Sequence, residues 1–335
     1  MNALRVATIL LGLMTADCVL SIYAYADDAW PVKHRLIGKD GEKSVDVSGI
    51  ACSTAAGFPR ACLVIDDNIQ DAQFVDVIDG EITARDSVHL IDDTFEGKAL
   101  ELDGEGVAFA KGFYYVMGSH GHPRDKKHKL DPVEDAAKIR ARIAASSQIV
   151  RLRADGSNVE PSRRLRDVIL AEPGLARFVD QRLENNGLTI EGVAARGDEL
   201  LAGFRGPVLN DNPDDNRAVV LSVGIDLLFG GASGTQHRIF RLPLGHGRGV
   251  RDLTVFDGNV LVLAGPVADG PGDYAIYHWD GNSENVRFLA ELSFDPERKP
   301  EGLLALDRTA SKLRVLILFD GDKEGTPTPV EIPAP

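Results

Sequence analysis

The sequence has few cysteines, an excess of acidic over basic residues, and no long apolar run after its N-terminal segment. Only three cysteines occur in 335 residues, and no Cys-x-x-C pair or cysteine/histidine zinc spacing is present. A zinc ribbon or finger is therefore excluded. Lys and Arg total 37 against 51 Asp and Glu, a formal net charge of −14. Because affinity for nucleic acid comes mainly from clustered cations, this balance argues against a nucleic-acid partner.

The N-terminal residues have the layout of a secretory signal peptide. Arg5 precedes an apolar run from Val6 to Leu20, and Ala24-Tyr25-Ala26 fits the pattern that signal peptidase reads. A membrane anchor is the alternative, but Asp17 interrupts the run and no second apolar span of about 20 residues follows. We therefore predict a signal peptide over 1–26, a mature domain over 27–335 without a membrane span, and a periplasmic or secreted location.

Export changes how the remaining cysteines are interpreted. Removal of Cys18 leaves Cys52 and Cys62, an even number in an oxidising compartment. The segment between them contains Gly57 and Pro59 and connects two β-rich runs. A hairpin would bring the two sulfurs together, so a Cys52–Cys62 disulfide is predicted; two buried free thiols are the alternative.

A short motif recurs five times, each copy followed by a turn and a second apolar strand. The copies are Val47–Ala51, Gly104–Ala108, Ile190–Ala194, Val250–Thr254 and Pro300–Leu304. Their starts are 57, 86, 60 and 50 residues apart, whereas a propeller blade needs about 40–50. The repeat predicts an all-β protein, a single β-propeller of five blades. Six blades remain open if the longest interval hides one, and a β-sandwich is the alternative fold.

Helices account for the longest interval, and the N-terminus can close the ring. Apolar spacing predicts helices over 132–145 and 162–183, the second broken near Pro173. We therefore place a helical insertion at about 132–183, in or after blade two. The last blade is one strand short, and we expect His34–Gly38 to supply its outer strand.

The motifs should converge on one face of the propeller, around its axis. In an antiparallel hairpin the start of one strand and the end of the next lie at the same edge. The aligned ring is Ser48, Glu105, Glu191, Arg251 and Glu301. The polar segments that end the second strands should surround it with Asp66, Asp67, Ser119, His120, Arg205 and Asp320.

Several carboxylates around one axis repel one another and need compensation. A hard cation such as calcium, which takes several oxygen ligands, would supply it. The candidate metal ligands are Glu105, Glu191 and Glu301, with Asp66 and Asp320 as weaker ones. The alternative is that each glutamate accepts backbone N–H groups of the neighbouring blade and ties the blades together.

Other residues of the ring suggest ligand binding or catalysis. Arg205 and Arg251 could hold a phosphate or carboxylate group, with Ser48 and Ser119 beside them. His120 lies between glycines in Gly118–His122 and is the candidate general base. The alternative for His120 is a hydrogen-bonded histidine in a turn.

The ordered set of motifs resembles the bacterial family called domain of unknown function 3616. The likeness covers essentially the whole mature chain and is carried by Gly104–Ala108, Gly118–Gly121, Ile190–Ala194, Gly203–Pro207, Arg251–Leu253, Ala264–Pro266 and Pro300–Leu303. The resemblance implies a β-propeller and no particular activity. A weaker similarity to phytase-like or esterase-like propellers, which share the Glu-Gly openings of inner strands, implies calcium and an ester or phosphoester substrate.

Two classes of function follow. The first is an exported, cation-assisted hydrolase of an anionic ester or phosphoester at the central face. The second is a non-catalytic propeller that binds a small anionic ligand or an envelope protein through the same face. A monomer is expected in both.

The position of the mature N-terminus tests the export prediction. Cleavage after Ala26 should leave Asp27 as the first residue, because Ala24 and Ala26 are small where signal peptidase requires it. N-terminal sequencing of the exported protein checks this. Recovery of Met1 in that fraction would show the prediction to be wrong.

Overall fold

The computed structural model describes residues 23–24, 28–124, 130–210, 216–230 and 237–335. Its strands form five sheets arranged as the blades of a β-propeller, which confirms the predicted fold and the count of five. The predicted signal peptide lies outside the described residues except for Tyr23–Ala24, and its removal stays a prediction.

Each blade starts with its innermost strand and runs outwards through antiparallel neighbours. Blade 1 contains Val47–Cys52, Arg60–Asp66, Asp71–Ile78 and Glu81–His89. Blade 2 contains Gly104–Ala110, Phe113–Gly118, Ile149–Arg153 and Glu160–Ser162. Blade 3 contains Thr189–Arg196, Glu199–Asn210, Asn216–Gly224 and His237–Leu242. Blade 4 contains Arg248–Phe256, Asn259–Pro266, Tyr274–Trp279 and Val286–Leu292. Blade 5 contains Lys299–Arg308, Lys312–Asp320 and Thr328–Pro333.

Short strands, helices and turns accompany the five blades. Val32–Lys33 and Tyr23–Ala24 add parallel strands to the outer edges of blades 1 and 4. Thr94–Phe95 and Lys98–Ala99 form a small hairpin. The α-helices are Ala136–Ser146, Arg164–Ala171 and Ile225–Phe229, and the 3₁₀ turns are Lys39–Gly41, Ala176–Phe178, Leu183–Asn185 and Lys323–Gly325. Within the described ranges, no helix combines the length and apolarity needed to cross a membrane.

The first two helices occupy the long interval in which the sequence predicted helices. Ala136–Ser146 lies between the second and third strands of blade 2. Arg164–Ala171 follows the blade and packs Leu165 and Ile169 into the layer between blades 2 and 3. This second helix therefore contributes to the core of the ring.

The hydrophobic core consists of five layers, each lying between two neighbouring blades. One layer joins blades 1 and 2, and the others follow in order until the last joins blade 5 to blade 1. Each blade therefore has apolar side chains on both of its faces. The second strands accordingly contain continuous apolar runs, such as Val260–Ala264 and Val315–Phe319, instead of alternating ones.

All five innermost strands carry a β-bulge at the repeated motif. The pairing register shifts at Ser48, Glu105, Glu191, Arg251 and Glu301. A bulge leaves one residue without an opposite partner and redirects its side chain. The motif is therefore the sequence signature of a bulge that turns one side chain per blade out of the ladder.

The residue after each bulge brings neighbouring blades into close contact. A Cβ built on Gly49 would lie 2.9 Å from Gly106 Cα, and one on Gly106 would lie 3.0 Å from Glu191 O. Blade 4 has Asp252 at this position, and its carboxylate accepts the Leu303 N–H of blade 5 at 2.7 Å. Glycine in the first three blades lets the backbones approach, because no side chain stands between them.

The expected outer strand for the last blade is not formed by His34–Gly38. Blade 5 has three strands in the described chain. The segment is bonded elsewhere: the Ile37 N–H donates to Gln73 Oε1 of blade 1 at 2.8 Å, and Ile37 bridges back to Lys43. The ring closes instead through main-chain contacts: Asp46 bridges Asp320, and the Glu324 N–H donates to Ser44 O at 2.7 Å.

The predicted disulfide is present. Cys52 and Cys62 lie directly opposite each other on the two inner strands of blade 1 and are bonded. The bridge closes the hairpin that contains Gly57 and Pro59, as the cysteine spacing indicated.

Substitution of Gly192 tests the close packing of the inner-strand backbones around the axis. A Cβ there would lie 2.9 Å from the Asp252 carbonyl carbon and 3.0 Å from Leu253 N, which are backbone atoms. Gly192→Ala should therefore lower the free energy of unfolding by about 1–3 kcal/mol, measured by urea denaturation. Gly224→Ala is the control, because nothing lies within 4 Å of its added Cβ. Equal stability of the two variants would contradict the packing described.

Candidate functional site

A polar cavity of about 750 Å³ lies on the face where the innermost strands begin. From the predicted set, its lining includes Asp67, Glu105, Ser119, Glu191, Arg205, Arg251, Glu301 and Asp320. The bulges therefore bring four of the five ring residues into one space.

Arg251 joins three blades through two buried carboxylates. Its guanidinium contacts the Glu301 carboxylate of blade 5, and its Nε lies 2.9 Å from Glu191 Oε2 of blade 3. The second contact is an ion pair without hydrogen-bond alignment. Burial alone would lower the pKa of Arg251, but Glu191 and Glu301 raise it above its usual value. Arg251 therefore stays charged and compensates two of the three ring glutamates.

Arg205 extends this network to the loop of blade 4. Its Nη1 donates to Glu191 Oε1 at 3.0 Å, and its Nη2 donates to Asp269 Oδ1 at 2.8 Å. Arg124 also donates to Asp269 Oδ1, at 2.9 Å. These arginines form what we call the cationic wall of the cavity: Arg124, Arg205 and Arg251.

Glu105 differs from the other two ring glutamates. Its side chain is 4% exposed and lines the cavity, and it makes no hydrogen bond or ion pair with any described residue. Burial raises the pKa of Glu105 well above its usual range, and the carboxylates of Glu191 and Asp103 raise it further. The surroundings of Glu105 therefore favour its protonated form.

The side of the cavity near Glu105 is acidic. We define the acidic wall as Asp46, Asp67, Asp103, Glu105 and Asp320, all of which line the cavity. Burial raises the pKa of Asp67 well above its usual value, and Asp103, Asp320 and Asp46 add to this. Lys299 Nζ pairs with Asp320 Oδ2 at 2.7 Å. Each arginine of the cationic wall is likewise paired with a carboxylate, so the cavity contains paired charges of both signs.

His120 does not reach this cavity. Its ring is buried among other groups, Nδ1 lies 2.8 Å from Gly118 O, and Nε2 has no partner among the described residues. Burial lowers the pKa of His120 to about 4, so the ring stays neutral. The positive φ of His120, 54°, accompanies this inward placement, while the neighbouring Ser119 and His122 line the cavity. The arrangement fits the turn histidine that was the alternative.

Two further predicted residues lie away from the cavity surface. Ser48 is fully buried and its hydroxyl lies 3.4 Å from Asp46 O. Asp66 accepts hydrogen bonds from Ser44 Oγ at 2.6 Å and from the Asn68 N–H at 2.9 Å. Burial raises the pKa of Asp66 to about 6. Ser119, by contrast, lines the cavity and donates to the Asp103 carboxylate.

Several lining residues were not among the predicted ones. They include Asp46, Asp103, His122, Arg124, Asp269 and Lys299. Asp46, Asp103 and Lys299 each lie two residues before a repeated ring position, at the same entry to an inner strand. A search that extended the motif upstream would have found these three. Arg124 and Asp269 lie in loops, whose course the repeat does not predict.

Comparisons with known proteins establish the family. Residues 62–328 match the family described as "Protein of unknown function (DUF3616)". Since this match covers most of the chain, the protein belongs to that family. Among curated protein sequences, none matches the chain.

Several solved structures align with most of this chain at low identity and low TM-score. A family 117 glycoside hydrolase of Zobellia galactanivorans aligns with 94% of this chain and 90% of its own, at 9% identity and a TM-score of 0.46. The pyranose dehydrogenase PQQ domain of Coprinopsis cinerea aligns over 89% and 86%, at 9% identity and 0.41. A structure titled "AfRom2 CNH domain" aligns over 86% of this chain at 8% identity and 0.36, and the chain spans 65% of its length.

Replacing Arg251 tests its role between the blades. Arg251→Leu leaves Glu191 and Glu301 without this cation, so the free energy of unfolding should fall by about 3–5 kcal/mol at pH 8. The loss should be smaller at pH 5, because burial raises the pKa of Glu301 to about 8 and its protonation at lower pH relieves the repulsion. Urea denaturation at both pH values measures this.

Arg287→Leu is the matched control for that experiment. Arg287 is exposed on the outermost strand of the same blade, so its replacement should change stability by no more than about 0.5 kcal/mol. A loss of stability in Arg251→Leu that is no larger than in this control would contradict the role assigned to Arg251.

Proposed function

We propose that this member of the DUF3616 family is an exported hydrolase that cleaves a small anionic ester or phosphoester in the axial cavity. The observation that carries the proposal is Glu105, a buried carboxyl group with no partner among the described residues, in a polar cavity that also holds a cationic wall. A carboxyl group whose pKa is raised by burial and by neighbouring acids is suited to donate a proton near neutral pH.

The two walls have different roles in the proposed reaction. The cationic wall attracts the negatively charged group of the substrate, with Arg124 at the more exposed end. Water attacks the ester carbon or phosphorus, and its proton passes to the Asp103 carboxylate. The bond to the leaving oxygen breaks, and that oxygen takes the proton of Glu105. The Ser119 hydroxyl orients Asp103 by donating to it.

A bound divalent cation would add charge compensation on the acidic wall and could polarise the ester oxygen. Calcium suits an all-oxygen donor set such as this one. The ring glutamates are unequal as ligands, because Glu191 and Glu301 already contact arginines whereas Glu105 does not.

Export is part of the proposal and is supported by the cysteines. The Cys52–Cys62 disulfide is typical of an oxidising compartment. The signal peptide predicted over residues 1–26 would direct the chain there.

A non-catalytic propeller that binds a small anionic ligand is the second candidate. It is favoured by the Glu191–Arg251–Glu301 network, which links blades 3, 4 and 5 and so has a structural role that needs no reaction. In that case the purified protein would bind small anions in the cavity but turn none of them over.

Replacement of Glu105 tests the hydrolase proposal. The mature protein is assayed with model phosphoesters, carboxylic esters and lactones. Glu105→Gln should lower kcat by about 10²–10⁴-fold, because the amide cannot donate the proton, while KM changes little. The variant should unfold at the same urea concentration as the wild type or a higher one, since a buried repulsive acid has been removed.

Glu284→Gln is the control. Glu284 is exposed, and one of its carboxylate oxygens accepts the Arg241 N–H, which a Gln oxygen can also do. Its activity should equal that of the wild type. Wild-type protein without turnover of any of the three substrate classes, or full activity in Glu105→Gln, would refute the hydrolase.

A further inference from the structure

The entrance to the axial cavity carries basic side chains that differ in character from the cationic wall. Four of them line the side next to blades 1 and 2, and we call them the mouth cations: Lys39, Lys98, Lys138 and Arg142. Lys98 belongs to the small hairpin that follows blade 1 and is exposed, and Lys138 is half-buried. Lys138 and Arg142 stand one turn apart on the helix Ala136–Ser146, so one face of that helix borders the cavity.

Glu101 fixes two of the mouth cations. Its Oε1 accepts a hydrogen bond from Lys39 Nζ at 2.9 Å, and its Oε2 accepts one from Arg142 Nη2 at 3.3 Å. In the described part of the chain Arg142 makes no other hydrogen bond, so further N–H groups of its guanidinium are available to a ligand. Glu101 therefore positions two cations at the entrance without using all of their donors.

Lys98 and Lys138 are not compensated. Neither ammonium group forms a hydrogen bond or ion pair with a described residue, whereas every arginine of the cationic wall pairs with a carboxylate. The acids that line this side, outside the acidic wall, are Glu96 and Glu101. Four cations thus face two acids, and two positive charges remain. An anion gains more from such free cations than from arginines that must give up a carboxylate partner.

The size of the cavity suits a ligand longer than a single anionic group. Its volume of about 750 Å³ is in the range of sites that hold drug-sized molecules, about 300–1,000 Å³. Phe95 and Leu100, both half-buried, line the same side as the mouth cations. They offer apolar surface to the body of such a ligand.

Asp103, the base in the proposed reaction, connects the entrance with the cationic wall. It lines the cavity, and the Ser119 hydroxyl donates to its carboxylate. Burial raises the pKa of this carboxyl group, whereas its hydrogen bond with Ser119 and the charges of Arg124 and Arg142 lower it. Both arginines therefore lie within electrostatic reach of it, one from the cationic wall and the other from the mouth cations. A ligand that spans the two groups would pass the site of the proposed reaction.

We propose that the mouth cations bind a phosphate group at the end of the substrate remote from the bond that is cleaved. The substrate class is then an ester or phosphoester with two anionic groups, one held at the entrance and the other at the cationic wall. The inference rests on the proposed function in taking this ligand for a substrate, whereas binding of a phosphate group at the entrance needs no reaction.

A phosphate dianion suits the entrance better than a carboxylate. Its charge equals the two positive charges left uncompensated there, and its three oxygens can accept from two ammonium groups and one guanidinium. The flexible stems of Lys98 and Lys138 let both ammonium groups reach the same phosphate. This remote contact would hold the scissile bond in place beside the reacting groups, which is how binding energy away from the reaction centre contributes to catalysis.

Phosphonates, whose carbon–phosphorus bonds an ester hydrolase does not cleave, test the site without turnover. Calorimetry on the mature protein compares alkane bisphosphonates of increasing chain length with alkylphosphonates of the same length. The best bisphosphonate should bind the wild type at least about 10-fold more tightly than its monophosphonate, because two anion sites then act on one molecule. In the double variant Lys98→Met/Lys138→Met this preference should fall to about 2-fold or less, because the second phosphonate loses its free cations.

Lys312→Met is the matched control. Lys312 is exposed at the start of the second strand of blade 5, does not line the cavity, and has no ion pair among the described residues. Its variant should keep the wild-type preference. No preference in the wild type, or an undiminished preference in the double lysine variant, would overturn the proposal. Tighter binding of a dicarboxylate than of the bisphosphonate of equal length would overturn the choice of phosphate.

This outcome is separate from that of the hydrolase test. A wild type that prefers the bisphosphonate but cleaves none of the model esters would support the site at the entrance and refute the hydrolase. A wild type that cleaves model esters but shows no preference for the bisphosphonate would refute the site at the entrance and leave the hydrolase standing.

Discussion

The close contact between innermost strands around the axis is the constraint on which the rest of the structure depends. Five strands can meet there only because each has a bulge at the same place, and three of them follow it with a glycine whose neighbour is the next blade's backbone. The bulge that permits the approach also turns one side chain per blade out of the ladder. Tight packing and the polar cavity therefore have one cause.

The side chains at these bulges have separate roles. Glu191, Arg251 and Glu301 compensate one another across three blades, so that two acids that would repel each other become a link between blades. Breaking such a buried pair would be costly because it leaves a charge unpaired. Glu105 lies outside this link and belongs to the acidic wall. At this ring position no described residue neutralises the carboxylate, so a ligand or a proton can do so.

The repeat carried most of the fold, because a bulge followed by glycine is visible as Glu-Gly in three of the five motif copies. Each of the five copies lies in the innermost strand of one blade. Convergence of the motif residues also followed from strand direction. What the repeat could not predict depends on local contacts outside the motif. The N-terminal segment bonds to Gln73 of blade 1 through the Ile37 N–H, and His120, at positive φ, lies buried away from the cavity.

The division between paired and unpaired glutamates is tested most directly by comparing three substitutions in one stability assay. Glu105→Gln, Glu191→Gln and Glu301→Gln are unfolded in urea at pH 8 in the presence of chelator. We expect Glu191→Gln and Glu301→Gln to lose about 1.5–3 kcal/mol each, because a charged hydrogen-bond or ion-pair partner is lost, and Glu105→Gln to be as stable as the wild type or more stable. A loss of stability in Glu105→Gln equal to that in the other two would contradict the account.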